Sequence, residues 1–286
     1  MNRSEYADGV LGQDQRGERE RLALLEATCD PTTWEVISGL PLSGNASCAV
    51  IGAGNGRIVR RLAQRFPAGR ITATDTDTRL LDAQEWPSQV TISRHDVTRD
   101  DLTPADRDLV HARAVLTHLP DPGGLVRRMA SWLTPGRGWL VVEDPTYLGP
   151  VLSGRSEWAA LLRNCEELLA RSVGTDSIWA GRIPVAMAAA GLTDVRVTVR
   201  VATVGDGGVE DRFWRANFRQ AKTALVTHGL MTEEEVERGM GCLDDPAFRD
   251  MTWTMISCAA TIDGKRGFRL LTADRSISMN VCHSHV

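Results

Sequence analysis

Glycines 52, 54 and 56 close the apolar run Cys48-Ala49-Val50-Ile51, and Arg57-Ile58-Val59-Arg60-Arg61-Leu62-Ala63 then opens a helical pattern. A strand, a tight glycine turn and a helix start in that order can build a nucleotide cradle at the carboxyl end of a parallel strand. Glycine lets the backbone approach a ligand closely and takes positive φ without strain. The helix amino end adds unpaired N–H groups. Gly52, Ala53, Gly54, Asn55 and Gly56 are therefore the candidate cofactor loop. A dinucleotide fingerprint would need its last glycine at 57, where the chain has Arg57, and no Gly-Lys-Ser/Thr follows to make a phosphate loop. An ordinary strand-to-helix turn is the alternative reading.

The next two segments supply acids at strand tips. Ile71-Thr72-Ala73-Thr74 reads as a β-branched strand ending at Asp75, which follows Gly56 by 19 residues. That is close to the spacing at which an acid meets ribose hydroxyls, and one carboxylate can accept from both of them. Thr76 adjoins it, and Asp77 suits an N-cap before Thr78-Arg79-Leu80-Leu81. Val90-Thr91-Ile92-Ser93 is a third strand, followed by Arg94-His95-Asp96-Val97. Asp96 could accept from an adenine amino group while the Val97 N–H reaches a ring nitrogen. Asp75 and Asp96 are equally residue types that cap turns.

Residues 48–56, 71–77, 95–97 and 106–145 together resemble class I S-adenosylmethionine-dependent methyltransferases in order and spacing. Asp106 to Pro120 looks like that family's fourth strand with the loop and helix after it, and Pro135-Gly136-Arg137-Gly138 before Trp139-Leu140-Val141-Val142 looks like its turn into the fifth. The branch most similar acts on small molecules in bacterial secondary metabolism and is distantly similar to quinone-ring C-methyltransferases. The resemblance covers roughly the first 200 residues. It implies an α/β, Rossmann-like seven-stranded sheet with N-terminal helices and a helical cap. It also implies S-adenosyl-L-methionine as cofactor, with Ala112 and Arg113 lining its methionine end. The chain departs from the family at Val50, where the pattern usually has an acid two residues before the first glycine.

Periodicity divides the chain further. Residues 1–42 are helical in pattern, with apolar faces expected in 19–26 and 33–37, and form an N-terminal cover. Residues 43–145 hold five strand-helix units, implying a parallel sheet with right-handed crossovers. Residues 146–182 form a helical cap insertion with an amphipathic helix over 157–169. Residues 183–207 continue the core, with a helix over 183–190 and alternating Val195, Val197, Val199 and Val201 marking a strand. Residues 208–250 form a second helical insertion in which Thr232 and Glu235 fit a capping box. Residues 251–268 carry the last strand, over 253–262, and 269–286 an aperiodic tail expected to be disordered, with His283 and His285.

The formal net charge of −4 over 286 residues argues against a general nucleic-acid binder. No apolar stretch is long enough for a membrane span and no leader pattern opens the chain, so a cytoplasmic protein is expected. Six scattered cysteines without C-x-x-C make neither a disulfide framework nor a metal site. The expected partner is a small-molecule acceptor, with no nucleic acid, no membrane, and a homodimer or higher homo-oligomer left open.

The chemistry implied is in-line displacement at a sulfonium methyl group. The chain must align the nucleophile, exclude water and remove a proton where one exists. His118, just after the fourth strand, is the candidate catalytic base, with His111 and His228 as further histidines and Glu143 and Asp144 as alternative acids. Each histidine could equally serve a structural hydrogen bond. Tyr147, Trp158, Trp179, Trp214 and His228 are candidate substrate-pocket residues, joined by Phe213 and Phe218; core packing of the cap is the alternative for each aromatic. The activity expected is methyl transfer to oxygen, nitrogen or carbon of an aromatic, polyketide-like or alkaloid-like metabolite, in antibiotic or other secondary-metabolite biosynthesis. The alternative is a cyclase or rearrangement catalyst on the same scaffold that keeps the cofactor without transferring methyl.

Overall fold

The computed structural model describes residues 17–263. The expected disorder of 269–286, with His283 and His285, and the first part of the N-terminal cover lie outside the described residues. One seven-stranded sheet is built from β1 (Ser47–Ile51), β2 (Arg70–Asp75), β3 (Val90–Arg94), β4 (Leu109–Arg113), β5 (Trp139–Thr146), β6 (Leu192–Val204) and β7 (Asp250–Ile262). The strand order is β3-β2-β1-β4-β5-β7-β6, with β1 to β5 parallel and β7 antiparallel to both β5 and β6. This is the Rossmann-like seven-stranded sheet expected from the sequence. Strand order reverses between β1 and β4, which leaves a crevice at their carboxyl ends.

Among the described residues, seven helices of seven residues or more surround it: α1 (Glu18–Ser38), α2 (Arg57–Arg65), α3 (Pro122–Ser131), α4 (Ser156–Val173), α5 (Ile183–Ala189), α6 (Val209–Thr227) and α7 (Glu233–Gly241). Local sequence sets their ends. Asp121 accepts the Gly124 N–H at 2.9 Å, with Pro122 opening α3. Thr232 and Glu235 form the reciprocal capping box of α7. Gly174 ends α4 at φ 72°. A single turn, Arg79–Asp82, follows β2; its cap residue is Thr78, while the Asp77 side chain accepts the Arg79 N–H at 3.1 Å.

Two features differ from the sequence expectation. The inward face of α1 carries polar groups beside its apolar ones: Glu18, Arg21, Glu26, Asp30 and Thr33 are buried along with Cys29 and Ile37. The helix lies over strand tips, where backbone and side-chain polar groups need partners more than they need an apolar lid. The two insertions also form one cap. Trp158 of α4 stands edge-on to Phe218 and Trp214 of α6, at 5.4 and 6.5 Å between ring centroids, and Trp253 of β7 stacks on Phe213 at 5.0 Å. Burying such rings contributes several kcal/mol of apolar stabilisation, of order 2–3 kcal/mol per ring. Among the described residues, no helix is long and apolar enough to cross a membrane.

Candidate functional site

A cavity of about 290 Å³ occupies the crevice between the strand tips, α1 and the cap. Its floor begins at the glycine turn. Gly52, Gly54 and Gly56 have φ of 65°, 55° and 81°, values that cost a residue with a Cβ. A Cβ added to Gly52 would stand 2.3 Å from Val115 Cγ2, and one added to Gly56 2.5 Å from the Trp86 ring. A Cβ on Gly54 would meet nothing within 4 Å, so bare backbone there faces open cavity. Gly52, Ala53, Gly54 and Asn55 line the space. Gly56 does not; its missing side chain lets Trp86 and Leu81 pack against the turn.

Asp75, at the tip of β2, and Thr76, Asp96, Val97 and Thr98 continue the wall. Asp75 accepts N–H groups from Gly54 at 3.1 Å and Asp77 at 3.2 Å. Burial raises its carboxyl above the ordinary range, with the Asp77 and Gly54 amides opposing the rise. Asp96 Oδ1 accepts both the backbone N–H and the hydroxyl of Thr98, at 3.0 and 2.6 Å. Against the burial that would raise it, those bonds and the Arg99 charge hold the Asp96 carboxyl below the usual range. His95 also faces the cavity, with an edge contact to Trp132 at 6.0 Å.

The tip of β4 forms the opposite wall. Alternate residues of a strand point to opposite faces. His111 and Arg113 accordingly line the cavity, while Ala112 between them is buried on the far side with Val126 and Met129 of α3. Ala112 is therefore not a lining residue; Ala114, at φ 53°, is. Arg113 Nη1 donates to Asp30 Oδ1 at 3.0 Å and to Thr33 Oγ1 at 2.8 Å. The Thr33 hydroxyl donates to Glu143 Oε2 at 2.7 Å, which His111 Nε2 also contacts at 2.9 Å, and Ser257 donates to Oε1 at 2.6 Å. Burial would raise the Glu143 carboxyl, but the His111 hydrogen bond and the nearby charges of His111 and Arg113 hold it below the usual range. Glu143 and Asp144 sit behind the cavity, fully buried, rather than at its mouth.

His118 lines the cavity with its Nδ1 at 2.8 Å from Thr175 Oγ1, leaving Nε2 for another partner. Burial, together with the Arg21 charge, pushes its pKa down to about 4, so the ring is neutral at physiological pH. Tyr147, Phe213, Trp214 and Trp253 form an aromatic end. Trp158 and Phe218 do not reach the cavity; both are wholly buried in the seam joining the two insertions. Trp179 donates its indole N–H to Asp144 Oδ2 at 3.0 Å and packs into the core beneath α3 and α5. His228 follows α6 on the exposed surface, away from the cavity. Glu18, Arg21 and Glu26 of α1 and Asn217 and Gln220 of α6 also line the space. Their signal in the sequence was a polar stripe at helical spacing, masked by the leucines beside it.

A mixed α/β sheet with a glycine turn and acids at successive strand tips is the architecture of a Rossmann-like α/β protein. Residues 50–140 match the model of a methyltransferase domain family. Over 144 residues it is 30% identical to trans-aconitate 2-methyltransferase of Variovorax paradoxus, covering 47% of this chain and 54% of that protein. Over 99 residues it is 33% identical to methyltransferase str3 of Strobilurus tenacellus, covering 34% of this chain and 35% of that protein. The chain thus spans about half or less of the length of these curated relatives. Its fold is similar to phosphoethanolamine N-methyltransferase 2 of Haemonchus contortus, solved with phosphomonomethylethanolamine and S-adenosylhomocysteine, with a TM-score of 0.51, 15% identity, and coverage of 91% of this chain and 57% of that one.

Proposed function

We propose that this chain binds S-adenosylmethionine along the tips of β1 to β4 and transfers its methyl group to a small acceptor held under the cap. The observation that carries this reading is the continuity of one cavity from the glycine turn, Asp75 and Asp96 to the aromatic end at Tyr147, Phe213, Trp214 and Trp253. The residues fit the cofactor: bare backbone at Gly54 faces open space, and Asp75 retains acceptor capacity for ribose hydroxyls beyond its two backbone bonds. Asp96 and the Val97 N–H serve the adenine edge, and Arg113 lies toward the methionine end. The bound cofactor supplies an activated methyl group. The chain's own residues orient the acceptor, exclude water beneath α1 and α6, and take a proton at His118 Nε2 where the acceptor carries one.

The acceptor class follows from what the aromatic end offers. Arg21 donates to both Glu18 oxygens at 2.7 and 2.6 Å, and Arg113 is held by Asp30. Both cavity arginines thus have their charge met within the protein, which disfavours a polycarboxylate acceptor and favours a neutral, flat one. An aromatic, polyketide-like or alkaloid-like metabolite methylated at oxygen, nitrogen or carbon is the corresponding substrate class. Incubation with methyl-labelled S-adenosylmethionine and a panel of such compounds tests this. Label is expected in a small-molecule product; cofactor binding with no label transferred across the panel would overturn methyl transfer to this class.

A further inference from the structure

A carboxylate oxygen beside the glycine turn is buried without a partner. Glu26 reaches from α1 into the same cavity wall as Val50, Gly52 and Gly54, and is 6% exposed. Its Oε1 accepts the Arg57 N–H, the first amide of α2, at 3.2 Å. Its Oε2 is buried with no hydrogen-bond partner. The nearby cations do not fill that gap. Arg113 Nη1 and Arg57 Nε both turn to Asp30, each at 3.0 Å. The other cavity carboxylates are occupied or lie elsewhere: Glu18 is taken by Arg21 and by Gln220 at 2.7 Å, while Asp75 and Asp96 stand at the adenosine end. Val50 offers no acceptor. A buried acceptor left unmade costs free energy that an incoming donor recovers, and a charged donor recovers more. Burial also leaves the Glu26 carboxyl above the ordinary range, opposed by the Arg57 amide and the Arg113 charge, as expected of a group awaiting a counter-ion.

We propose that Glu26 accepts the α-amino group of the cofactor's methionine portion, a role that rests on the cofactor assignment made above. With adenosine at Asp75 and Asp96, the methionine portion extends toward the β1 and β4 tips, where Glu26 is the one carboxylate among the described cavity residues with a buried oxygen that has no hydrogen-bond partner.

Calorimetric titration of the whole chain with S-adenosylhomocysteine and with its deamino analogue, which carries hydrogen in place of the amino group, isolates this contact. The wild type should bind the deamino analogue about 10- to 100-fold more weakly. In Glu26→Gln, whose amide oxygen can still accept the Arg57 N–H, the two ligands should bind within about twofold of each other. An undiminished ratio in Glu26→Gln overturns the proposal, even if both affinities fall together. Should that variant fail to fold, equal affinity of the wild type for the two ligands overturns it. Wild type binding neither ligand rejects the cofactor assignment and this role with it.

Discussion

The carboxylate of Asp75 accepts the backbone N–H of Gly54 at 3.1 Å, so the turn after β2 is fastened to the turn after β1 through a single side chain. One residue thereby shapes the glycine loop and presents acceptors beside it. Asp75→Ala is expected to weaken S-adenosylhomocysteine binding by about 1–3 kcal/mol, or about 5- to 150-fold. Calorimetry reads it directly, and a variant that melts earlier yet binds unchanged would reduce Asp75 to a turn residue.

The three loop glycines should separate into two behaviours. Gly52→Ala and Gly56→Ala meet Val115 and Trp86 and sit at positive φ, so each should lose about 2–4 kcal/mol of stability. Gly54→Ala meets no protein atom and should lose only about 1 kcal/mol, from its backbone conformation. Its methyl group fills space assigned to the ligand, so cofactor affinity should fall more than about tenfold. Chemical denaturation with parallel titrations checks both, and wild-type affinity in Gly54→Ala would move the cofactor off this turn.

Histidine 118 is neutral down to a pKa of about 4. Turnover should therefore show no inflection near pH 6.5, the ordinary histidine range, and decline only as the ring gains its proton near pH 4. His118→Ala should lower kcat about 100-fold when the acceptor must lose a proton, and little when it need not. A wild-type inflection near 6.5 that vanishes in the variant would contradict the burial argument.

Asp144 makes the protein sensitive to alkali. Burial lifts its pKa to about 7, against the hydrogen bonds it accepts from Trp179 and the Thr117 and Val115 amides. The unfolded carboxyl titrates near ~3.9. The native state therefore holds the extra proton between those values, so the contribution is complete below about pH 4 and lost as pH rises through about 7. Stability should drop on the order of 2 kcal/mol from pH 5 to pH 8 from this group. Asp144→Asn should remove that slope whatever it does to the absolute value, as urea titrations at both pH values would reveal.

The sheet and the glycine-turn end of the cavity could be read from the chain because both are written locally. Apolar, β-branched runs mark β1, β2 and β5, and Gly52, Gly54, Asp75 and Asp96 stand directly at strand tips. The aromatic end could not. Trp158 lies on an apolar helix stripe, and a stripe reveals that a side chain is buried, not whether it meets a cavity or another helix. Trp158 meets Phe218, and Trp179 meets Asp144. Arg113 finds Asp30 across a separation of 83 residues, and no spacing rule connects them. Ala112 lies one step of the pleat away from the cavity, and α1 turns Glu18, Arg21 and Glu26 to it beside Leu22 and Leu25.

Strand β6 pairs only with β7, and β7 separates it from β5. Chain order and assembly order are therefore different. A ribosome that has finished residues 192–204 has made a strand without a strand partner, and it stays unpaired until residues 250–262 emerge. The same thirteen residues bring Trp253 to the cavity wall. During synthesis, the aromatic wall of the cavity is completed in the same event that gives β6 its partner.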